Sequence, residues 1–368
     1  MTVKTFPQSS ENVLDKEGLK NLRIEKILII QTAFAGDAIL TLPMIQVLKR
    51  LYFESEIHVI CIPSTEEIFS ASAYVKEVKV LDKRNKHKSL ISLYNFAKNI
   101  RKEKYTRIYS PHRSFRTALL VMFVGIRETY GFSTGSFKHV YKHVIKYNPD
   151  HHEVQRNLDL IGYKYAENEW RIFPELDISP DIKNQIDNYI KNIGLDDKFI
   201  CIAPGSVWNT KIYPVEYFEE IIKHVVNNSP YNVLLIGGKK DEILCANIIS
   251  KFPEKVYSAA GKFRIVESIE ILKRSKLLIT NDSAPTHMAM CANIPAITIY
   301  CSTTADIGFY PYNNGSSILS YDDLFCKPCG IHGYIKCPIN TFNCGYNLKP
   351  DSVVKKLEEM ISDRFENS

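Results

Sequence analysis

Three short stretches of this sequence carry side chains suited to binding a phosphate and moving a proton. The first contains Gly36-Asp37, the second Gly205-Ser206 with Lys211, and the third Asp282-Ser283 with His287. A carboxylate within about 3 Å of a hydroxyl group can take up its proton. A lysine and the N–H groups at a helix start are suited to binding a phosphate. The three stretches therefore indicate chemistry on a phosphorylated substrate.

Each motif also has a purely structural interpretation. Asp37 directly follows Gly36, and both Asp37 and Asp282 stand where an aspartate commonly caps a helix by accepting hydrogen bonds from free N–H groups. Lys211 is equally consistent with an exposed lysine in a strand-to-helix loop, and His287 with a packed histidine. Spacing alone favours capping for Asp37, so the choice depends on what surrounds these residues.

Short apolar runs alternate with amphipathic segments along the chain, which predicts an α/β protein with parallel sheets. In such sheets ligands bind at the carboxyl ends of the strands, where all three motifs fall. The predicted strands are Lys26–Ile30, Glu56–Ile62, Val78–Leu81, Arg107–Ser110, Phe199–Ala203, Asn232–Ile236, Leu277–Thr280 and Ala296–Tyr300. The predicted helices are Asp37–Tyr52, Leu90–Ile100, Asp181–Ile193, Val215–Asn227, Asp241–Lys251, Ile265–Arg274, Thr286–Ala292 and Ser352–Arg364, with Thr117–Val124 as a helix or a buried segment.

A length of 368 residues favours two domains. We expect a polar leader over residues 1–23, an N-terminal domain over 24–175 and a C-terminal domain over 181–350. A closing helix is expected over 351–368. The Pro-bearing polar stretch Trp170–Pro180 is the expected linker between two Rossmann-like halves with a cleft between them.

Composition restricts the class of protein. No apolar run reaches the ~18–20 residues that cross a bilayer, and the first 25 residues have no signal-peptide pattern. Five cysteines stand singly in or beside apolar segments, which fits a reducing compartment and predicts a cytoplasmic location. They are Cys61, Cys201, Cys245, Cys291 and Cys301.

The net charge of +6 is unevenly spread. Between Lys76 and Tyr147 there are 17 Lys or Arg against 4 Asp or Glu, so the rest of the chain is mildly acidic. Such a basic surface suits nucleic acid, anionic lipid or a phosphorylated acceptor, and a solvated lysine-rich surface is the alternative.

The ordered set of motifs resembles glycosyltransferase family nine, the lipopolysaccharide heptosyltransferases. The resemblance covers about residues 24–360, nearly the whole chain. The matching segments are Lys26–Ile30, Gly36–Pro43, Ala203–Ser206, Lys211–Pro214 with Phe218, Leu235–Gly238, Asn281–Ala289 and Gly308–Pro311.

The resemblance implies a GT-B fold, in which two Rossmann-like domains with parallel sheets face each other across a cleft. The C-terminal domain is expected to bind a sugar nucleotide, typically ADP-heptose. The N-terminal domain is expected to bind the lipid A-linked Kdo or heptose acceptor, with peripheral contact to the inner membrane and no role for nucleic acid. Transfer is expected to invert the anomeric centre without a cofactor or a catalytic metal ion.

The resemblance also assigns roles to residues. Asp37 is the expected base, and Lys211 with the Gly205-Ser206 turn is expected to bind phosphate. The late turn expected to contact donor sugar and phosphates contains Asp282, Ser283, Ala284 and His287. The chain departs from the family pattern at Ala284, where glycine is usual, and at Tyr213, where tryptophan is common. Glu242 and Glu267 are equal candidates for the acid expected on the ribose.

A basic cluster at another strand end is a candidate acceptor site. We expect His112, Arg113 and Arg116 to meet the carboxylates and phosphates of an anionic acceptor. Some of Lys138, Lys142 and Lys146 are expected to assist them. A surface arginine cluster without this role is the alternative.

Four further cysteines stand close together over residues 326–344, at Cys326, Cys329, Cys337 and Cys344. The Cys-x2-Cys pair and four thiols suit a tetrahedral structural zinc ion. The spacing of the second pair is not that of a standard zinc ribbon, so free or disulfide-linked thiols remain the alternative.

Other functions are weighed against heptose transfer. A nucleotide-sugar epimerase can share this two-domain architecture, and a family-nine transferase can use another sugar. A catalytically inactive binding protein is disfavoured by the presence of Asp37 and Lys211. A dinucleotide dehydrogenase is disfavoured because no Gly-x-Gly-x-x-Gly follows the first strand.

Overall fold

The computed structural model describes residues 25–195 and 198–365 of the chain. The leader expected over residues 1–23 lies outside the described residues. No helix in the part that is described is long and apolar enough to cross a membrane.

The first half of the described chain forms a parallel six-stranded sheet of order β3-β2-β1-β4-β5-β6. Its strands are β1 Lys26–Ile30, β2 Glu56–Cys61, β3 Glu77–Val80, β4 Arg107–Ser110, β5 Glu128–Phe132 and β6 His143–Ile145. Its helices are α1 Ala35–Leu51, α2 Glu66–Ser70, α3 Leu90–Lys102, α4 Phe115–Val124 and α5 Glu153–Leu160.

The second half forms another parallel six-stranded sheet, of order β12-β11-β10-β7-β8-β9. Its strands are β7 Phe199–Ala203, β8 Asn232–Leu235, β9 Val256–Ser258, β10 Leu278–Asn281, β11 Ala296–Tyr300 and β12 Ser317–Ser320. Its helices are α6 Pro180–Asn192, α7 Val215–Asn228, α8 Glu242–Ile249, α9 Ile265–Leu272, α10 Ala284–Ala292, α11 Asn343–Tyr346 and α12 Pro350–Phe365.

Both sheets have the same Rossmann-like connectivity, which confirms the predicted fold class. The chain order reverses between β1 and β4 in the first sheet and between β7 and β10 in the second. Side chains that leave these strand ends therefore enter a crevice. The inner strands are almost fully buried, as expected for β-branched runs covered by helices on both faces.

The two domains meet where α1 packs beside α10. A Cβ atom at Gly36 would lie 2.8 Å from Cδ2 of His287, so glycine is required for this close approach. Pro43 interrupts the hydrogen bonding of α1, and Asn157 on α5 donates to the Leu40 carbonyl oxygen at 3.0 Å. The close contact of Gly36 with His287 places the starts of α1 and α10 next to each other on the cleft.

Several elements escaped the sequence prediction, namely α2, α5, α11, β5, β6, β9 and β12. Helix α5 buries Glu153, Arg156 and Asn157 along with apolar residues, so it lacks a clear apolar stripe. The α4 region is helical from Phe115, because the Ser114 side chain accepts a hydrogen bond from the Thr117 N–H and caps the helix.

Candidate functional site

A cleft of about 330 Å³ lies between the domains and receives residues from both points of strand reversal. Asp37 follows β1 and Arg113 follows β4 in the first domain. Lys211 follows β7, and Asp282 follows β10 in the second domain. All four line this cleft, together with Ser206, Ser283, Ala284 and His287. The sequence motifs that lie far apart in the chain are therefore neighbours in space.

Asp37 is the third residue of α1 and is half-buried on the wall of the cleft. The backbone N–H groups of Phe34 and of Asp37 itself point at its carboxylate, so the helix start fixes its position. Burial raises the pKa of Asp37 above its ordinary value, and these N–H groups oppose the rise along with the charges of Arg113 and Lys211. The N-cap of α1 is Phe34, so Asp37 is not the capping residue and instead stands in the first turn, on the cleft.

Lys211 is held in place by an ion pair. Its Nζ lies 2.6 Å from Oδ2 of Asp282, and the side chains of both residues are about nine-tenths buried. The Thr303 hydroxyl donates to the same carboxylate oxygen at 2.6 Å. Asp282 does not cap α10, whose N-cap is Ser283. The pair keeps an ammonium group in the cleft, where its remaining N–H donors suit an anionic ligand.

Asn281 fixes the loop that carries Lys211. Its side-chain amide donates to the Pro204 carbonyl oxygen at 2.8 Å and accepts from the Tyr213 N–H at 2.9 Å. Tyr213 is fully buried, and its hydroxyl donates to the Leu348 carbonyl oxygen at 2.6 Å. The tyrosine at the position where tryptophan is common therefore anchors this loop to the segment before α12.

The His287 side chain forms part of the cleft wall and is only 4% exposed. It contacts Gly36 of the other domain. Burial lowers its pKa to about 4, so the imidazole is neutral near pH 7. Its Nδ1 has no hydrogen-bond partner among the described residues. A neutral ring of this kind can donate or accept one hydrogen bond with a ligand.

A second cavity of about 350 Å³ adjoins the cleft and shares Ser206, Ser283 and Ala284 with it. Gly205 lines this second cavity, where a Cβ atom would clash with the Asp241 carboxylate. Asp241 accepts a hydrogen bond from the Gly238 N–H at 2.8 Å.

The carboxylate in this second cavity was not predicted from the sequence. Of the two expected ribose acids, Glu267 accepts from the Arg264 N–H at 2.8 Å and caps α9. Neither Glu267 nor Glu242 lines the second cavity, whereas Asp241 does. The three acids are close together around the same strand ends, and sequence spacing did not separate them.

Of the expected acceptor cluster, Arg113 lines the cleft, and His112 and Arg116 do not. The Arg113 guanidinium lies 4.2 Å from the ring centre of Tyr147. His112 bonds Thr32 and Thr117 at 2.8 Å, and burial lowers its pKa to about 4, so it is neutral. The Arg116 guanidinium donates to the His87 carbonyl oxygen.

Glu153 is a second acid near Asp37 that the sequence prediction missed. Its carboxylate is 3.1 Å from Nη1 of Arg156, and both side chains are buried. Burial raises the pKa of Glu153 to about 7, and the negative charge of Asp37 adds to the rise. Two buried carboxyl groups near each other do not ionise equally easily, so one of them titrates near neutral pH.

Arg156 connects the domains behind the cleft. It donates to the Ile307 carbonyl oxygen of the second domain at 3.0 Å, and the Glu153 N–H donates to the Gly308 carbonyl oxygen at 2.8 Å. Gly308 has a φ of +90°, and a Cβ atom there would lie 2.5 Å from the His151 carbonyl oxygen. The Gly308–Pro311 motif is therefore part of the domain junction.

Lysines expected to assist at the acceptor site lie at the edge of the first domain. Lys142 pairs with Glu128, which also meets His143. Lys138 follows Phe137 in a short helical turn. None of Lys138, Lys142 and Lys146 lines the cleft.

The four clustered cysteines line a separate cavity next to β12.

Comparison with known proteins identifies the family. The model of glycosyltransferase family 9 (heptosyltransferase) matches residues 93–333. Lipopolysaccharide heptosyltransferase 1 of Campylobacter coli is 27% identical over 291 residues, covering 76% of this chain and 84% of that protein.

Solved structures agree in fold. A family 9 glycosyltransferase from Veillonella parvula has a TM-score of 0.81 at 19% identity, covering 93% of this chain and 99% of that one. The ADP-heptose lipopolysaccharide heptosyltransferase II of Escherichia coli has a TM-score of 0.74 at 19% identity, covering 92% and 99%. With two Rossmann-like domains and the motifs gathered at one cleft, the chain belongs to glycosyltransferase family 9, the heptosyltransferases, and is a glycosyltransferase.

Proposed function

We propose that this enzyme transfers heptose from ADP-heptose to the Kdo or heptose residues of the lipopolysaccharide inner core. The observation that carries the proposal is that Asp37 and Lys211 line one cleft from opposite domains. The family match supports heptose transfer in lipopolysaccharide synthesis, and the name of the Escherichia coli neighbour supports ADP-heptose as the donor.

The donor would lie along the two adjoining cavities. The second cavity, with Asp241, Lys239 and Lys240, suits the nucleoside and its hydroxyl groups. The diphosphate would then reach the N-terminus of α10 and the Lys211 ammonium group, where positive charge is concentrated. This orientation brings the sugar into the cleft beside Asp37.

In the proposed reaction Asp37 removes the proton from an acceptor hydroxyl as its oxygen attacks the anomeric carbon of the heptose. The bond from that carbon to the diphosphate breaks, and ADP leaves from the opposite face. The anomeric centre is inverted because attack and departure occur on opposite sides in one displacement. A transition state of oxocarbenium character is expected, as in glycoside hydrolysis.

The negative charge that develops on ADP needs stabilisation. Lys211 and the N–H groups at the start of α10 supply it from positions that are already fixed, so no divalent ion is required in this proposal. Of the described acids that line the cleft, Asp282 is engaged by Lys211 and Thr303. This leaves Asp37 as the base and argues against a second carboxylate acting as a nucleophile.

An acceptor anchored in a membrane would approach the first domain. Phe115 and Phe137, which are close to Arg113 in the chain or through the Ser136 backbone, are exposed, and their rings are 5.8 Å apart. The packed helices α3 and α4 carry further exposed apolar residues, namely Leu90, Ile91, Tyr94 and Met122. Apolar groups among many lysines and arginines suit an anionic lipid surface. All nine cysteines are free, which fits a cytoplasmic protein that meets the inner membrane peripherally.

An epimerase of the same architecture is the competing proposal. It would act on a nucleotide sugar without an acceptor, and the heptosyltransferase family match weighs against it. Consumption of ADP-heptose only when a core acceptor is present would support transfer, whereas epimerisation of a UDP-sugar without an acceptor would support the alternative.

Replacing Asp37, the proposed base, tests heptose transfer separately from ADP binding. We expect Asp37→Asn to lower kcat by ~10²–10⁴-fold, because the hydroxyl proton loses its acceptor. The affinity for ADP should change less than threefold. Transfer is measured with ADP-heptose and core acceptor, and ADP binding by calorimetry. The product anomer is read by NMR, and no divalent ion is added to any assay.

Asp181→Asn, an exposed change on α6, is the matched control and should behave as the unmodified enzyme. Transfer by Asp37→Asn at more than about a tenth of the normal rate would remove Asp37 from the role of base.

The nearby Glu153 predicts a particular pH dependence. Asp37 must be ionised to accept a proton, so kcat falls as pH drops through its raised pKa. The pKa of Glu153 is raised to about 7 while Asp37 is ionised, so Glu153 takes up its proton first as the pH falls. Glu153→Gln, which resembles that neutral acid, should therefore leave the acidic limb of the kcat profile in place. A shift of the acidic limb to lower pH would mean that Glu153 is still charged when Asp37 titrates, and would contradict this order of protonation. Glu216→Gln, exposed on α7, is the control.

Two variants test how the acceptor is approached. Arg113→Ala should raise the acceptor KM about tenfold for both delipidated and vesicle-bound acceptor, because a charge partner is lost. Phe115→Ser should raise KM only for acceptor embedded in anionic vesicles. An unchanged KM for Arg113→Ala with both acceptors would reject its role, and equal effects of Phe115→Ser on both would reject lipid contact.

A further inference from the structure

The strongest unassigned feature is the set of four cysteines at residues 326, 329, 337 and 344. They surround one cavity of about 240 Å³ between the end of β12 and the start of α12. None of them forms a disulfide bond, and none lines the cleft that contains Asp37. Four free thiols around one small space are the ligand set of a tetrahedral metal site.

The loop that carries these thiols is anchored near Cys326 by Lys327, whose side chain is 1% exposed and donates to the carbonyl oxygens of Tyr300 at 2.9 Å and Tyr321 at 3.1 Å. Residues 321–342, between β12 and α11, contain no helix or strand. Several of its large apolar side chains point outward, with Phe325 94% exposed, Ile335 62% and Ile331 56%. Ordering a loop of this length costs conformational entropy, and these exposed side chains contribute little buried apolar area to offset it.

The backbone around the thiols suits sulfur in its anionic form. The N–H groups of residues 339–342 all point at the Cys337 sulfur. Successive N–H groups of this kind form an anion-binding concavity, as found at metal–sulfur sites. The Cys329 sulfur lies 3.4 Å from the Cys326 carbonyl oxygen, which places the Cys-x2-Cys pair in one tight turn.

We propose that Cys326, Cys329, Cys337 and Cys344 bind one structural Zn²⁺ ion. Among the described residues, no three of these sulfur atoms lie within 4.8 Å of one another. Tetrahedral Zn–S bonds of about 2.3 Å bring sulfur atoms to about 3.8 Å, so the loop must tighten around the ion. Thiolates prefer zinc over the hard cations calcium and magnesium.

A second group of metal-type ligands does not compete with this one. His58, Glu77 and Glu103 come together at the edge of the first sheet. Lys79 lies 2.7 Å from Glu77 and 3.2 Å from Glu103, and Lys26 lies 2.7 Å from Glu103. Ammonium groups already neutralise these carboxylates, so the cluster is an ion-pair network.

The cysteine loop also supports the turn that carries Lys211. The Thr210 N–H donates to the Tyr334 carbonyl oxygen at 3.0 Å, and the Tyr334 N–H donates to the Thr210 hydroxyl at 2.8 Å. A Cβ atom at Gly333 would lie 2.7 Å from the Ser302 hydroxyl, so only glycine permits this contact. The Cys329 N–H donates to the Ser302 carbonyl oxygen at 2.7 Å.

The ion therefore positions Lys211 through the segment between Cys329 and Cys337, which also places His332 on the wall of the cleft. This second part of the inference rests on the proposed donor site, because it assumes that Lys211 binds the diphosphate. Zinc binding itself is independent of that assumption, so the two can fail separately.

Metal content tests the site directly. Full-length enzyme purified under reducing conditions should contain about one zinc per chain by inductively coupled plasma mass spectrometry. Cys337→Ser and Cys329→Ser should each reduce it severalfold, while Cys245→Ser, a buried change on α8, should retain it. Less than about 0.2 zinc per chain in the unmodified enzyme would overturn the proposal, whether the thiols prove free, disulfide-bonded or bound to iron.

Cobalt substitution in the unmodified enzyme tests the ligand set even if the cysteine variants fail to fold. Replacing the native ion by Co²⁺ in the unmodified enzyme should produce the intense sulfur-to-cobalt charge-transfer absorption of a four-thiolate site. Its absence in cobalt-loaded enzyme would overturn the four-cysteine ligand set.

The coupling to Lys211 has its own readout. Zinc-free enzyme, prepared by chelation and verified as folded by circular dichroism, should bind ADP about tenfold more weakly, with recovery when zinc is restored. Unchanged ADP affinity in the zinc-free enzyme would overturn the positioning role, whatever the zinc content of the purified protein.

Discussion

The ion pair between Lys211 and Asp282 is the interaction on which this site depends. It joins two loops of the second domain, one after β7 and one after β10, at the point where the sheet reverses direction. The Thr303 hydroxyl also donates a hydrogen bond to Oδ2 of Asp282, the oxygen that pairs with Lys211. Burying an ammonium group costs free energy unless a partner is present, so Asp282 is what allows a lysine to remain in a half-enclosed cleft. In the proposed reaction, the donor diphosphate would meet a cation whose position is already fixed.

The first domain supplies the opposite wall by the same topology. Asp37 stands in the first turn of α1, just after the first central strand, and α1 packs beside α10 with Gly36 against His287. Behind them Glu153 and Arg156 connect the first domain to the backbone at Ile307 and Gly308. The proposed base, Asp37, is therefore positioned by a helix start and by a buried domain junction.

The sequence predicted the features that depend on local pattern. Strand ends followed by small residues placed Asp37, Lys211 and Asp282 correctly at the cleft, because parallel strands bring their carboxyl ends to one edge. Glu153 was missed because α5 turns polar residues inward, where they bond the other domain. His112 and Arg113 are adjacent in sequence, yet only Arg113 lines the cleft. The directions of two neighbouring side chains in a turn depend on its backbone geometry, which the sequence alone does not predict.

A crystal structure with a non-reacting ADP-heptose analogue tests the central claim most directly. The account predicts a diphosphate oxygen within about 3 Å of the Lys211 Nζ, at the start of α10, and the Asp37 carboxylate facing the anomeric carbon from the side away from ADP. A diphosphate bound away from Lys211, or a sugar whose anomeric carbon is shielded from Asp37, would contradict it.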